Sequence, residues 1–255
     1  MSTNASASAH AHHTPAPIAT TRRDRLLLVL ASFFLGNALL AEMIGGKLFQ
    51  VPTPWHTFTL SVGVILWPVV FIVSDIINEY FGRAGVKRLT FLAAAVIAYA
   101  FIALFLADMI PTASFSPVDG ASFRNVFLQS QWIIVGSLAA FLTAQLVDVT
   151  VFWIIRRRTG ARFLWLRATG STLVSQLIDT VIVQYIGLHL PTFFGQQGID
   201  FPTFVNTATS SYIFKFVIAI GVTPLLYLVH WIIDRYLGER ESERIIEAVA
   251  EEESR

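Results

Sequence analysis

Several ionisable side chains stand inside or at the ends of long apolar stretches of this chain: Glu42, Asp75, Glu79, Asp148, Asp179 and Lys215. A charge at the middle of a bilayer costs about 2.5 to 3.5 kcal/mol on insertion scales. Asp148, Asp179 and Lys215 together would cost on the order of 8 to 10 kcal/mol if unpaired, which is comparable to the stability of an ordinary domain. We therefore expect them to face a hydrated cavity or each other, and we hypothesise that Asp179 and Lys215 form a pair.

Other polar residues accompany these charges at helical spacing. Asp75, Asn78 and Glu79 share one helix face, and so do Gln145 and Asp148. A polar stripe runs through residues 170–190, formed by Thr172, Ser175, Gln176, Asp179, Thr180 and Gln184, with Ile178, Ile182 and Ile186 predicted to face lipid. Such a helix is expected to line an interior. Hydrogen bonding between helices is the alternative role for the neutral members, and hydration at the membrane face is the alternative for Glu79.

The elements that carry these residues are apolar and long. The chain has 255 residues, of which 55% are hydrophobic and only 14% are charged, whereas soluble domains average about 25% charged residues. Apolar stretches at residues 26–49, 57–78, 89–110, 131–155, 170–190 and 208–233 are each long enough to cross a bilayer. Because lipid offers the backbone no hydrogen-bond partners, these spans must be helices. The sequence predicts an all-α integral membrane protein with six transmembrane helices.

The distribution of cations predicts the orientation. Short cytoplasmic loops accumulate lysine and arginine. Most of the 18 basic residues fall on one predicted side: Arg22, Arg23, Arg25, Arg83, Lys87, Arg88, Arg156, Arg157, Arg158, Arg162, Arg167, Arg235, Arg240, Arg244 and Arg255. Lys47 and Arg124 fall on the other side. We therefore expect both termini to be cytoplasmic.

The ends of the chain differ from the membrane domain predicted at residues 22–233. Residues 1–21 are rich in Ser, Ala, His and Pro and are typical of a disordered tail; metal binding by His10, His12 and His13 is the alternative. Residues 234–255 are predicted to form a cytoplasmic tail containing a short helix with a narrow apolar stripe at Ile245, Ile246 and Val249. We interpret this helix as solvated, and partner binding is the alternative.

The chain resembles the queuosine precursor transporter family, earlier described as a vitamin uptake family, over about residues 26–233. The resemblance lies in three places: Asn37 with Lys47, SVGVILWPVVFIVSDIINEYFG at 61–82, and LRATGSTLVSQLIDT at 166–180. The positions that match the family pattern are Asn37, Lys47, Gly63, Pro68, Asp75, Glu79, Gly82, Arg167, Ser171, Thr172, Ser175, Gln176, Asp179 and Thr180. Trp67-Pro68 replaces the usual Phe-Pro, and Tyr80-Phe81 replaces Val-Tyr. Both changes keep aromatic character.

The resemblance implies uptake of a deazaguanine, the 7-cyano or 7-aminomethyl form, across a bacterial inner membrane. A carboxylate can accept both N–H groups of a guanine-like edge. We expect Asp179 or Asp75 to bind that edge and Gln176, Asn37 and Lys215 to bind the acceptors, with the rings stacked on aromatic side chains. The candidate binding residues are Asn37, Glu42, Lys47, Asp75, Asn78, Glu79, Gln145, Asp148, Arg167, Ser175, Gln176, Asp179 and Lys215. The expected partners are this purine-like molecule and the lipid bilayer, with no cofactor or metal, and a homo-oligomer is left open.

Other functions were compared with this one. The net charge of +1 gives no case for nucleic-acid binding, and the lack of cysteine excludes a thiol nucleophile. No phosphate-binding GxxxxGK[ST] loop is present, but the chain could be the substrate-capture subunit of an ATP-driven vitamin importer. An intramembrane enzyme with two aspartates sharing a proton is the alternative from another class. Its Gly-x-Gly-Asp string is absent, and so is a GxSxG serine, so we do not expect an enzyme.

Overall fold

The computed structural model describes residues 21–54, 57–128, 131–160 and 163–253. The predicted tail, including His10, His12 and His13, lies outside these residues apart from Thr21, as do Arg162 and Arg255. The elements are α1 (Arg22–Ile44), β1 (Leu48–Pro52), β2 (Thr57–Ser61), a 3₁₀ turn (Val62–Ile65), α2 (Trp67–Asp108), α3 (Gly120–Phe127), α4 (Gln131–Thr159), α5 (Leu164–Gln184), a π turn (Tyr185–His189), a second 3₁₀ turn (Leu190–Phe194), α6 (Phe201–Gly221), α7 (Thr223–Leu237) and α8 (Glu239–Glu252).

The apolar helices confirm a multi-pass membrane protein. Five stretches of the described residues are long and apolar enough to cross a bilayer: Arg22–Ile44, Trp67–Asp108, Gly120–Thr159, Leu164–Phe194 and Phe201–Leu237. Large apolar side chains remain exposed along them, as lipid-facing surfaces require. The exposed face of α5 carries Val174, Leu177 and Val181. Ile178, Ile182 and Ile186, which were predicted to face lipid, are partly exposed beside these positions.

Helix α2 bends sharply at Gly82. This residue has φ 72° and ψ −177°, a conformation that is essentially restricted to glycine. Residues eight apart in a straight helix are separated by about 12 Å along its axis. A methyl group on Gly85 would nevertheless lie 3.6 Å from Cγ2 of Ile77. Helix α2 therefore consists of two legs, residues 67–81 and 83–108, that meet at a sharp turn.

A short β-hairpin lies between α1 and α2, and its strands overlap the adjoining ends of the first two predicted spans. Strands β1 and β2 pair antiparallel, with Leu48 opposite Ser61 and Pro52 opposite Thr57. The predicted first span, which ran to residue 49, ends as a helix at Ile44, and the helical part of the predicted second span begins only at Trp67. Ser61 fixes the hairpin to the end of α1, because its hydroxyl donates to the Gly45 carbonyl at 2.7 Å.

Both described ends of the chain meet at one end of the bundle. Arg22 Nη1 donates to the Tyr236 carbonyl at 3.1 Å, and Arg23 Nη2 donates to the Tyr80 carbonyl at 3.0 Å. Arg156 and Arg157 also lie here and contact α8. We call this region the arginine end. The hairpin lies at the opposite end of α1, so we call that region the hairpin end.

The C-terminal helix packs on the arginine end instead of extending into solvent. Ser242, Ile245 and Val249 of α8 are buried. Glu253 accepts a hydrogen bond from the Arg83 amide at 2.8 Å, directly after the turn at Gly82. The apolar stripe of α8 was predicted correctly, but the interpretation of α8 as a solvated helix was wrong because the stripe has a binding surface within the same chain.

Candidate functional site

Two neighbouring cavities lie among the helices. The large cavity has a volume of about 240 Å³, and its polar lining includes Glu42, Ser137, Asp179, Gln184, Ser211 and Lys215. The small cavity has a volume of about 50 Å³ and lies between α2, α5, α6 and α7, with Asp75, Thr172, Gln176 and Lys215 in its lining. Val64, Trp67 and Lys215 line both cavities. The two cavities therefore share a wall.

Lys215 and Asp179 form an ion pair beside the large cavity. Lys215 Nζ, from α6, donates to Asp179 Oδ2, from α5, at 2.6 Å. Each side chain is 21% exposed, so the pair is only partly enclosed. The hypothesis that these two residues pair is confirmed. Because both groups lie within apolar spans, their pairing removes much of the cost of placing two charges there.

The large cavity also holds a second acid and an amide. Glu42 lies on the last turn of α1 and is buried, and Ser137 of α4 is close enough to hydrogen-bond to it. Gln184 Nε2 donates to Ser211 Oγ at 2.9 Å. Its amide oxygen is buried and has no hydrogen-bond partner within the described chain. The cavity thus presents carboxylates, an ammonium group and an unpaired amide acceptor to the same space.

The small cavity contains two polar side chains with unsatisfied atoms. Asp75 Oδ1 and Gln176 Nε2 are buried, and neither has a hydrogen-bond partner among the residues that the structure describes. Leaving a buried polar atom unpaired costs about 1 to 3 kcal/mol. Asp75 offers an acceptor and Gln176 a donor, and both line the space beside Lys215. This combination suits a ligand that has both donors and acceptors.

Glu79 and Arg167, two predicted binding residues, instead form a sealed ion cluster. Arg167 Nη2 donates to Glu79 Oε1 at 2.6 Å, and Arg156 Nη1 lies 3.1 Å from Glu79 Oε2. The alternative role for Glu79, hydration at the membrane face, was wrong, because its exposed fraction is 1%. The guanidinium groups of Arg156 and Arg167 also stack on Trp153 and Phe152. Sequence reasoning missed Arg156 because all three consecutive arginines were assigned to a solvated loop.

Four more predicted binding residues are engaged in hydrogen bonds between helices. The Ser74 hydroxyl donates to Gln145 at 3.1 Å, and the Trp153 indole donates to Asn78 at 2.7 Å. The Ser175 hydroxyl donates to Asp148 at 3.1 Å. None of these residues is among those that line the two cavities. The alternative role, joining helices, describes their contacts better.

Asn37 and Lys47 are also not among the residues that line the two cavities. The Asn37 amide donates to the Phe33 carbonyl of its own helix at 2.8 Å, and Lys47 is exposed at the hairpin end. The predicted binding residues that the structure gathers along the cavity walls are Glu42, Asp75, Gln176, Asp179 and Lys215. Ser137 was missed as a lining residue, because an isolated serine in an apolar span gives no distinctive signal.

A further polar cluster at the arginine end was also missed. The Tyr80 hydroxyl donates to Asp234 Oδ1 at 2.7 Å, and His230 Nδ1 lies 3.0 Å from Asp234 Oδ2. Ser242 of α8 also donates to Asp234. The spacing of four residues between His230 and Asp234 was the available signal in the sequence.

The chain combines apolar membrane-spanning helices with a large cavity that is lined by charged groups. This combination defines a transmembrane protein of the transporter class. The family described as "Putative vitamin uptake transporter" matches residues 61–229. The chain belongs to that family.

Two curated relatives support this assignment. The chain is 29% identical over 171 residues to the "Probable queuosine precursor transporter" of Bacillus subtilis (strain 168), covering 66% of this chain and 71% of that protein. It is 26% identical over 166 residues to the "Queuosine precursor transporter" of Escherichia coli (strain K12), covering 65% of this chain and 70% of that protein. No solved structure matches the chain.

Proposed function

We propose that this protein imports a queuosine precursor, 7-cyano-7-deazaguanine, 7-aminomethyl-7-deazaguanine or both, and leaves it chemically unchanged. The observation that carries the proposal is the Asp179–Lys215 pair on the wall of a cavity of about 240 Å³ within apolar spans. Ligand pockets usually measure about 300 to 1,000 Å³, so the cavity approaches the size that a bicyclic base needs. The names of both relatives support the same substrate class.

The groups on the cavity walls suit a guanine-like edge. Adjacent N–H donors of such a ligand need a carboxylate, which Asp179 can supply from the wall of the large cavity. Its carbonyl and ring-nitrogen acceptors need donors, which Lys215 and the unpaired Gln176 amide can supply. Trp67 borders both cavities, and its indole offers a flat surface for stacking. Asn37 is left out of this assignment because its amide is bound within α1.

We further propose that the chain crosses a bacterial inner membrane six times, with both ends in the cytoplasm. The turn at Gly82 supports an even number, since it divides the 42-residue helix α2 into two opposed legs. The contact of Arg22 with Tyr236 supports placing both ends on one side. The excess of arginine at that end supports a cytoplasmic side.

Uptake into proteoliposomes tests the proposed function. Wild-type protein is expected to accumulate or equilibrate labelled 7-cyano-7-deazaguanine, and unlabelled 7-aminomethyl-7-deazaguanine is expected to compete. Asp179→Ala and Gln176→Ala should abolish uptake while the purified protein stays folded. Asp108→Asn is the matched control, because Asp108 pairs with exposed Arg124 away from both cavities. Normal uptake by both cavity variants would refute the proposal.

The same preparation separates the remaining alternatives. Liposomes that contain this chain alone hold no ATPase, so uptake without ATP would exclude an obligatory ATP-driven partner. A protonophore should reduce uptake only if transport is coupled to protons, as buried carboxylates in membrane spans allow. Recovery of a chemically altered ligand would instead indicate an enzyme.

A further inference from the structure

Lys215 stands between the two cavities, and its bond within the described part of the chain lies on the side of the large cavity. Its ammonium donates to Asp179, which lines the large cavity. The same side chain also lines the small cavity, together with Asp75 and Gln176. A lysine has a flexible four-carbon stem that carries a compact charge. The ammonium group of Lys215 is therefore placed to turn from one cavity toward the other.

Among the residues that the structure describes, Asp75 forms no ion pair. Its side chain is 5% exposed, and Oδ1 makes no hydrogen bond within the described part of the chain. The carboxylates of Asp148 and Glu79 repel it, and the guanidinium of Arg167 attracts it. Arg167, however, is already bound to Glu79. A second cation that reached Asp75 would relieve both the missing hydrogen bond and the crowding of acids.

On the basis of the proposed function, we propose that Asp75 is the second partner of Lys215 and that the ammonium moves from Asp179 to Asp75 during transport. The donor edge of the ligand needs the carboxylate that Lys215 occupies in this structure. When the ligand takes Asp179, Lys215 would be left unpaired among apolar helices unless another acid accepts it. Exchange to Asp75 keeps one ion pair intact throughout, so breaking the first pair is offset by forming the second. Asp75 then acts through Lys215 and is a positioning residue.

The sizes of the cavities agree with this order of events. The small cavity, at about 50 Å³, can hold a few water molecules, each of which needs about 10 to 15 Å³ by this measure. It is too small for a bicyclic base. The ligand therefore enters the large cavity first, and movement of Lys215 changes the wall that the two cavities share.

A double-mutant cycle read out by melting temperature tests the exchange without any ligand. Asp75→Asn, Asp179→Asn and the double variant are purified as full chains in detergent, with and without Lys215→Met. If each acid can hold Lys215 when the other is lost, the double variant melts lower than the two single effects predict, by about 3 °C or more. This excess should vanish in the Lys215→Met background. Purely additive shifts, or an excess that persists without Lys215, would overturn the proposal.

Two further variants serve as a control and as a replacement in this double-mutant cycle. Asp75→Glu keeps the carboxylate and should show no excess with Asp179→Asn. If Asp75→Asn does not fold, Asp75→Ser takes its place, since serine is smaller and still polar.

Ligand binding provides the second readout. Asp75→Asn should weaken binding of 7-cyano-7-deazaguanine about tenfold when Lys215 is present and less than about twofold in the Lys215→Met background. Equal weakening in both backgrounds would contradict the exchange. If wild-type protein binds neither this compound nor 7-aminomethyl-7-deazaguanine, the proposed function fails, and the melting-temperature comparison still decides whether Lys215 has two partners.

Discussion

Two groups of charge within the bundle have opposite surroundings. Glu79, Arg156 and Arg167 are sealed, with side-chain exposures of 2%, 5% and 3%. Asp179 and Lys215 are each 21% exposed and border a cavity. The first group joins α2, α4 and α5 at the arginine end, whereas the second joins α5 and α6 beside an open space. The comparison shows that charge within a span does not by itself identify a binding site, since only the second group is accessible.

The largest expected effect comes from breaking the sealed cluster. Glu79→Gln removes the acid that neutralises two buried guanidinium groups, and loss of one partner from a buried ion pair costs about 3 to 5 kcal/mol. We expect little folded protein, measured as the monodisperse fraction in size-exclusion chromatography. Wild-type yield with full uptake would show that the cluster does not hold the helices together.

The accessible pair should respond in the opposite way. Asp179→Asn keeps the shape of the side chain and leaves Lys215 in a partly exposed position, so the protein should stay folded. Uptake of labelled 7-cyano-7-deazaguanine should fall by about tenfold or more, since a hydrogen bond to a charged group contributes about 1.5 to 3 kcal/mol. A variant that folds poorly and transports normally per folded molecule would reverse the distinction between the two groups.

The turn in α2 should show an intermediate effect on stability. Gly82→Ala places a Cβ on a residue with φ 72° and ψ −177°, a conformation that costs a non-glycine residue about 1 to 3 kcal/mol. The new methyl group would also lie 3.1 Å from Oε1 of Glu253, the residue that follows α8 and packs over the turn. We expect a lower melting temperature, measured in detergent. Gly160→Ala serves as the matched control, because Gly160 also has positive φ but nothing lies within 4 Å of its added methyl.

The smallest expected effect concerns the surface on which α8 packs. Tyr80→Phe removes the hydroxyl that donates to Asp234 at 2.7 Å, and one such hydrogen bond contributes about 0.5 to 1.5 kcal/mol. Asp234 keeps its contacts with His230 and Ser242. A small fall in melting temperature with nearly normal uptake is expected. A large loss of uptake would instead give this cluster a direct part in transport.

The sequence was sufficient to predict the accessible pair but not the sealed cluster. Asp179 and Lys215 stand in the middle of apolar runs, where the cost of an isolated charge makes a partner necessary. Glu79 stands near the end of a run, where hydration is an adequate explanation. Its partners, Arg156 and Arg167, come from distant segments, and nothing in the local pattern shows that they turn inward. Tertiary packing alone brings the three together.

The hairpin and the surface on which α8 packs show the same limit of sequence-based prediction for the fold. Residues 48–61 carry enough apolar side chains to extend the predicted spans, and Pro52 and Pro54 were the available signals against helix. The stripe of Ile245 and Val249 predicted an amphipathic helix, as the structure shows. The surface that receives it is formed by a turn at Gly82, whose positive φ cannot be read from hydropathy.

The central claim, that the large cavity binds the ligand, is tested most directly by ligand protection of a cysteine. The chain contains no cysteine, so Ser137→Cys places a single thiol on the cavity wall. Exposed Ser114→Cys serves as the control. The rate of thiol modification by a small methanethiosulfonate should fall in the presence of 7-cyano-7-deazaguanine for Ser137→Cys and stay unchanged for Ser114→Cys. Equal rates with and without the compound at Ser137→Cys, in protein that transports it, would contradict the account.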